Sequence, residues 1–204
     1  THPEVAKQWH PTKNGDLTSN NVTSGSGKKV WWKCDKGDDH EWFTSPNSRH
    51  IRDGKFIGCP YCSNRMSSST NNLSILFPEI ANELHPSKNG NIVASNLLPG
   101  SHKKMWWKCD KGDDHVWSAR IVKRTNGNGC PICSGRKVVK SNCLKTTHAD
   151  VAKMWHPTKN GDLTPYDITS GSNKKVWWKC PKGDDHEWEN SPSGIIKNTI
   201  KCKV

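Results

Sequence analysis

A chain of 204 residues, of which only 31% are hydrophobic, with a mean hydropathy of -0.88, buries too little apolar surface for one large core. Its 11 tryptophans and 9 cysteines equally exclude a disordered chain, and they fit small units that a metal holds together around a few aromatics. The formal charge of +12 favours polyanionic partners, and no apolar run approaches the roughly 18–20 residues of a membrane span.

The first element in chain order is a short helix over residues 4–9, with Val5 and Trp9 four apart on one face. Trp9-His10-Pro11-Thr12-Lys13-Asn14-Gly15 follows, and its Asn-Gly pair marks a turn. Residues 28–34, Lys-Lys-Val-Trp-Trp-Lys-Cys, read as a strand. Lys36-Gly37-Asp38-Asp39 is then a turn, and residues 40–44 are the returning strand. Gly58-Cys59-Pro60-Tyr61-Cys62 forms a tight knuckle.

The same blocks return twice. The helix recurs at 79–84 and 150–155, the strand pair between Lys103 and Trp117 and between Lys174 and Trp188, and the knuckle at Cys130-Pro131-Ile132-Cys133. A repeat of this kind sets the architecture. The expected modules are residues 1–66, 73–137 and 144–204, joined by linkers 66–72 and 137–143. The first linker is rich in Ser and Asn and is expected to be flexible. The fold class is a small metal-stabilised α+β one: tandem modules, each a short helix, a β-hairpin and a C-x-x-C knuckle, an arrangement that resembles zinc-ribbon or treble-clef-like modules.

Two thiolates from one C-x-x-C knuckle reach the same ion, and the ends of a short hairpin turn supply two more ligands. The predicted zinc ligands are Cys34, His40, Cys59 and Cys62 in the first module and Cys109, His115, Cys130 and Cys133 in the second. The third offers Cys180, His186 and Cys202. His10, His85 and His156 recur as well. They are the alternative fourth ligands, or else turn histidines bonded to the backbone. Asp38, Asp39 and their equivalents are either outer partners of the histidine or a solvated turn.

A second knuckle cysteine of the third module would fall one position past Val204. The natural protein is therefore expected to continue, and this chain to hold about two zinc ions tightly. With three thiolates, an occupied site carries about one negative charge, and three such sites would bring the net charge nearer to about +9. Cys143 lies outside the repeated set and is expected to be a free, partly buried thiol. Metal-bound thiolates point to an intracellular, reducing compartment such as nucleus, cytoplasm, viral factory or virion, and not to secretion. Four protein ligands leave a zinc ion no open position for water, so the role expected of the metal is structural and the chain is not expected to be an enzyme.

Taken together, h-P-E-x-A-x-x-W-H-P-x-K-N-G, W-W-K-C, H-E-W and G-C-P-x-C-S-x-R resemble a zinc-ribbon domain family of unknown function, related to treble-clef zinc fingers. The resemblance covers nearly the whole chain outside the linkers. It implies the same ligand sets, and tandem modules such as occur in bacteria, algae and large DNA viruses. Related modules that sit beside nuclease-like domains suggest DNA. This chain carries no nuclease motif, so an accessory role to a nuclease would need a catalytic domain outside it.

The candidate binding surface combines cations with aromatics. Lys28, Lys29 and Trp31 recur as Lys103, Lys104 and Trp106 and as Lys174, Lys175 and Trp177, while Arg65 and Arg136 follow the knuckles. Alternation along the strand puts Trp32 with Val30 and Cys34 beside the metal, and Trp31 on the other face. Trp31 and its equivalents are candidates to stack on a base or sugar, or they pack against the helix and Trp9. The expected partner is DNA or RNA. The alternative is a set of protein neighbours in a large assembly such as a viral particle.

Overall fold

The computed structural model describes residues 2–49, 56–183 and 185–197. By compactness the chain divides into two units, one of Thr1–Met105 with Arg120–Asn126, the other of Trp106–Ala119 with Gly127–Val204. This seam passes through the second repeat of the sequence.

The first unit opens with helix α1, Pro3–Ala6, shorter than the expected 4–9. Proline at its start fixes φ for the first turn. The chain then tightens, with Gln8 and Trp9 amides bonding Val5 and Ala6 carbonyls. Strands β1 (Val30–Lys33) and β2 (Glu41–Thr44) pair antiparallel, with Trp31 opposite Phe43 and Trp32 opposite Trp42. Val30, Trp32, Cys34, Trp42 and Cys59 form the buried cluster, against which Val5, Trp9, Leu17 and Tyr61 pack. Trp9 meets Trp32 edge-on, with ring centroids 5.4 Å apart. The helix thus packs on Trp32 rather than on Trp31.

Asn14 and Gly15 have separate duties. The Asn14 amide donates to Trp31 O at 2.9 Å and its carbonyl accepts from Trp31 N at 2.8 Å, so one side chain pairs the strand edge. Gly15 takes φ +57°, a left-handed value that favours glycine. Further along are a 3-10 turn Asn47–Arg49, helix α2 (Leu73–Leu76) and helix α3 (Pro78–Asn82). Helix α4 (Ile121–Thr125) also belongs to this unit.

The linker 66–72 is not the free tether that its composition suggests. Ser68 and Asn72 are buried. Asn71 donates to the carbonyls of Tyr61 and Met66 and accepts from Ser68 N, and Asn72 caps α2 through Ile75 N. Polar side chains here satisfy backbone groups rather than water, which fixes the chain without an apolar core.

Strands β3 (Lys104–Lys108) and β4 (Val116–Arg120) make the second hairpin. The second unit continues through α5 (Leu144–Thr147) and α6 (Ala149–Ala152) to the third hairpin, β5 (Val176–Lys179) with β6 (Glu187–Asn190), and then α7 (Pro192–Lys197). Trp177 stands opposite Glu189 and Trp178 opposite Trp188. Its core gathers Leu144, Val151, Ala152, Met154, Ile168, Val176, Trp178 and Ile195. Cys143 is wholly buried at the start of α5, not partly exposed, and its thiol lies 3.3 Å from Lys140 O and from Thr146 Oγ1.

Candidate metal centre and hairpin surface

Each centre begins with the turn between paired strands. The Cys34 amide bonds His40 O at 3.0 Å, and the His40 amide bonds Gly37 O at 3.1 Å. A Cβ on Gly37 would stand 2.7 Å from His40 Cδ2, on Gly112 2.8 Å from His115 Cδ2, and on Gly183 2.9 Å from His186 Cδ2. The glycine of each Lys-Gly-Asp-Asp turn therefore makes room for the imidazole ring.

The structure brings Cys34, His40, Cys59 and Cys62 together, and likewise Cys109, His115, Cys130 and Cys133, with all ligand atoms of a set within 4.8 Å of one another. At the first centre His40 Nδ1 lies 3.8 Å from Cys59 Sγ and 3.6 Å from Cys62 Sγ, and Cys34 Sγ lies 3.7 Å from Cys62 Sγ. At the second, His115 Nδ1 lies 3.3 Å from Cys109 and Cys133 Sγ and 3.8 Å from Cys130 Sγ, and Cys109 Sγ is 3.7 Å from Cys133 Sγ. A tetrahedron with zinc–sulfur bonds near 2.3 Å and zinc–nitrogen bonds near 2.0 Å has edges of about 3.8 Å and about 3.5 Å. Both sets fit a zinc ion.

The protonation chemistry fits as well. Burial first, then hydrogen bonds with the neighbouring cysteines, pushes the Cys62 thiol up to about 12, and the Cys133 thiol likewise to about 12. Packed this closely, the thiols cannot ionise together unless a cation compensates them. These are two complete zinc-binding clusters of three cysteines and one histidine.

The first centre extends beyond its ligands. His40 Nε2 faces away from the sulfurs, 3.2 Å from Ser68 Oγ and 3.5 Å from Thr70 Oγ1. A proton on Nε2 leaves Nδ1 free for the metal. Asp39 does not touch the ring through this network. It accepts from Ser69 N, and that hydrogen bond lowers its pKa. Asp114 does the same with Ser141, bonding both its amide and its hydroxyl, and its pKa is lowered too. These aspartates therefore fasten the linkers to the ligand turns. Val139 stands where Ser68 does in the first repeat.

His10 and His156 are turn histidines. His10 Nδ1 accepts from Thr12 N and Lys13 N at 3.2 and 3.1 Å, and its Nε2 meets Glu41 Oε1 at 3.1 Å. His156 repeats this with Thr158, Lys159 and Glu187. His85 accepts from the Ser87 and Lys88 amides. Lys13 first, then His10, pulls the Glu41 carboxyl down to about 2, and Lys159 with His156 does the same to Glu187.

In the third repeat the Cys180 amide bonds His186 O at 2.9 Å, and Cys180 is buried. Cys202 lies outside the described residues.

From sequence, Arg49 and Arg124 count among the basic residues around the knuckle that could meet phosphates, but the structure buries both. Arg49 is 3% exposed, with its guanidinium 4.3 Å above the Trp32 ring. It bonds Gln8 Oε1 and Ile57 O, and burial lowers its pKa to about 10. Arg124, equally buried, pairs with Glu83. The register of the repeat was the available signal of these pairings, because Gln8 and Glu83 occupy equivalent positions, as do Arg49 and Arg124.

Of the surface candidates, Lys28, Lys29, Arg65, Lys103, Lys104, Trp106, Arg136, Lys174 and Lys175 are exposed, and Trp31 and Trp177 are half-buried. Trp31 packs on Phe43 at 5.2 Å beneath Lys13 Nζ, and Trp177 lies beneath Lys159 Nζ. No helix among the described residues is long and apolar enough to cross a membrane.

A family model described as a probable treble clef zinc finger domain matches residues 5–65, 80–136 and 151–204. No curated protein matches the chain.

Proposed function

The chain belongs to the probable treble clef zinc finger family, which it matches three times, and from that premise we propose that it is a non-catalytic array whose basic hairpin faces bind nucleic acid. The carrying observation is a set of six exposed lysines at equivalent positions: Lys28, Lys29, Lys103, Lys104, Lys174 and Lys175. Among the described residues none of them pairs with a carboxylate, whereas Lys13 and Lys33 are both committed to Glu41. Uncompensated cations leading into each hairpin are suited to phosphates. The non-catalytic reading rests on the four protein ligands of each complete cluster, which leave zinc no open position for chemistry. Its thiolates call for a reducing compartment.

Random DNA titrated across salt concentrations tests the reading. Binding should fall linearly on a log–log plot, and Lys28→Gln with Lys29→Gln should flatten the slope by about 1.4–1.8. Absence of binding at low salt, or binding indifferent to salt, refutes it. That outcome would favour a protein partner, for which α2 offers the exposed side chains of Ile75 and Leu76.

A further inference from the structure

The three hairpins are not equivalent on their outer faces. Trp31 is opposite Phe43 in the first, Trp177 is opposite Glu189 in the third, and Ser118 holds the corresponding position in the second. Phe43 is 52% exposed although it packs against Trp31. It borders an open groove of about 410 Å³ with Trp31, Arg49, Pro60, Arg65 and Met66, a volume within the range of ligand sites. Among the described residues the only carboxylate on its lining is Glu41, which Lys13 and Lys33 already hold. Arg65 is exposed, its bonds to Ser63 Oγ and Gly58 O are to neutral groups, and among the described residues no carboxylate pairs with it. Arg49 borders the groove from within, buried beside the ligand cysteines Cys59 and Cys34.

We infer that this groove of the first repeat is a stacking platform for single-stranded nucleic acid, a step that rests on the nucleic-acid reading above. An unpaired base lies on the open face of Phe43, and its phosphates meet Arg65. Stacking of this kind tolerates any base, since each has a π face, while a duplex keeps those faces covered. The third repeat lacks the platform because Glu189 puts a negative charge at the same place.

The test measures affinity for an oligothymidylate strand and for a duplex of equal length, using the whole zinc-loaded chain. Phe43→Ala should weaken strand binding roughly ten-fold and leave duplex binding within about two-fold. Phe43→Leu, which keeps apolar bulk but no π face, should behave like Phe43→Ala. Glu189→Phe should strengthen strand binding by building a second platform. Zinc content and the melting temperature of each variant report whether it has folded. Strand binding unchanged in Phe43→Leu, or strand and duplex weakened alike, overturns the platform but leaves the basic surface standing. A wild-type chain that binds neither strand nor duplex overturns the underlying reading itself.

Discussion

In the first repeat Trp32 Nε1 donates to Thr44 O at 2.9 Å, and in the third Trp178 Nε1 donates to Asn190 O at the same distance. Trp9 and Trp155 bond Leu17 and Leu163 carbonyls in the same way, and Asn14 and Asn160 both pair with a strand tryptophan. The fillings of this shared scaffold differ. Of the five buried residues clustered in the first repeat, two are ligand cysteines. Among the described residues the third repeat clusters eight buried apolar ones, and Cys180 is buried as well. The Gln8–Arg49 contact corresponds to Met154 and Ile195, both inside that apolar core. One scaffold thus accepts a buried glutamine–arginine pair or two apolar side chains at the same place.

Zinc removal gives the largest expected difference. Binding of a structural zinc ion is worth about 10–16 kcal/mol at neutral pH, which becomes folding energy in a small module. Chelation should therefore unfold the first repeat, and segment-resolved hydrogen exchange should show loss of protection at Trp32 and Trp42. The third repeat should keep more protection at Trp178 and Val176, because eight buried apolar residues pack together there. Equal loss in both would show that the apolar filling is not self-sufficient. Cys34→Ser and Cys109→Ser should each remove one tightly held ion in metal analysis.

The buried pair is the next place to break the comparison. Gln8→Met leaves Arg49 without its side-chain acceptor and should cost about 1–3 kcal/mol in denaturant unfolding. Adding Arg49→Ile imports the filling of the third repeat and should recover most of that loss, since apolar replacement of a whole buried polar pair is often neutral or better. A double variant as unstable as the sum of two singles would show that the sites are independent. In the second repeat Glu83→Met removes the carboxylate that pairs with Arg124, and the cost should be about 1–3 kcal/mol, tempered by the partial exposure of Glu83.

These pairs also show what a sequence does and does not display. The ligands were legible because C-x-x-C and the Cys-x5-His turn are local spacings that geometry constrains directly. The hairpins were legible through alternation, with Val30, Trp32 and Cys34 on one face. Ser68 and Thr70 beside His40 were not, because the contact spans 28 and 30 residues and the chain between them looks like solvent-loving linker. Polar composition suggested flexibility, whereas Asn71 and Asn72 use the same polar groups to tie the backbone down. Helices α2 and α5 escaped for a related reason. Each is only four residues long, too short for a helical period to emerge.

Gly37→Ala should have an effect specific to the metal. The new methyl would press on the His40 ring at 2.7 Å, so the ring or the turn must shift. Overpacking of this kind typically costs about 1–3 kcal/mol. Zinc affinity of the first centre should fall relative to the second in competition with a chelator. Gly183→Ala, made in the third repeat, tests whether the same clearance around His186 matters where the core is apolar.

The smallest effect concerns what the two repeats share. Glu41 and Glu187 are each held by a lysine and a turn histidine, and both carboxyls are drawn down to about 2. A carboxyl depressed below its unfolded value near 4.3 contributes stability above that pH and loses it as pH falls through its folded value. Zinc is released as the thiolates protonate, so global unfolding is a poor readout for the first repeat at such pH. Carboxyl titration by NMR reads each site directly. Both midpoints should stand near 2, and Lys13→Ala or Lys159→Ala should move the corresponding one back up toward the ordinary carboxylate range. The lysine is the larger influence at each site, so His10→Ala and His156→Ala should move them less. If the two carboxyls titrate apart although a lysine and a turn histidine hold each of them, the difference between the repeats reaches past their cores to the groups around these carboxyls, Lys33 beside Glu41 among them.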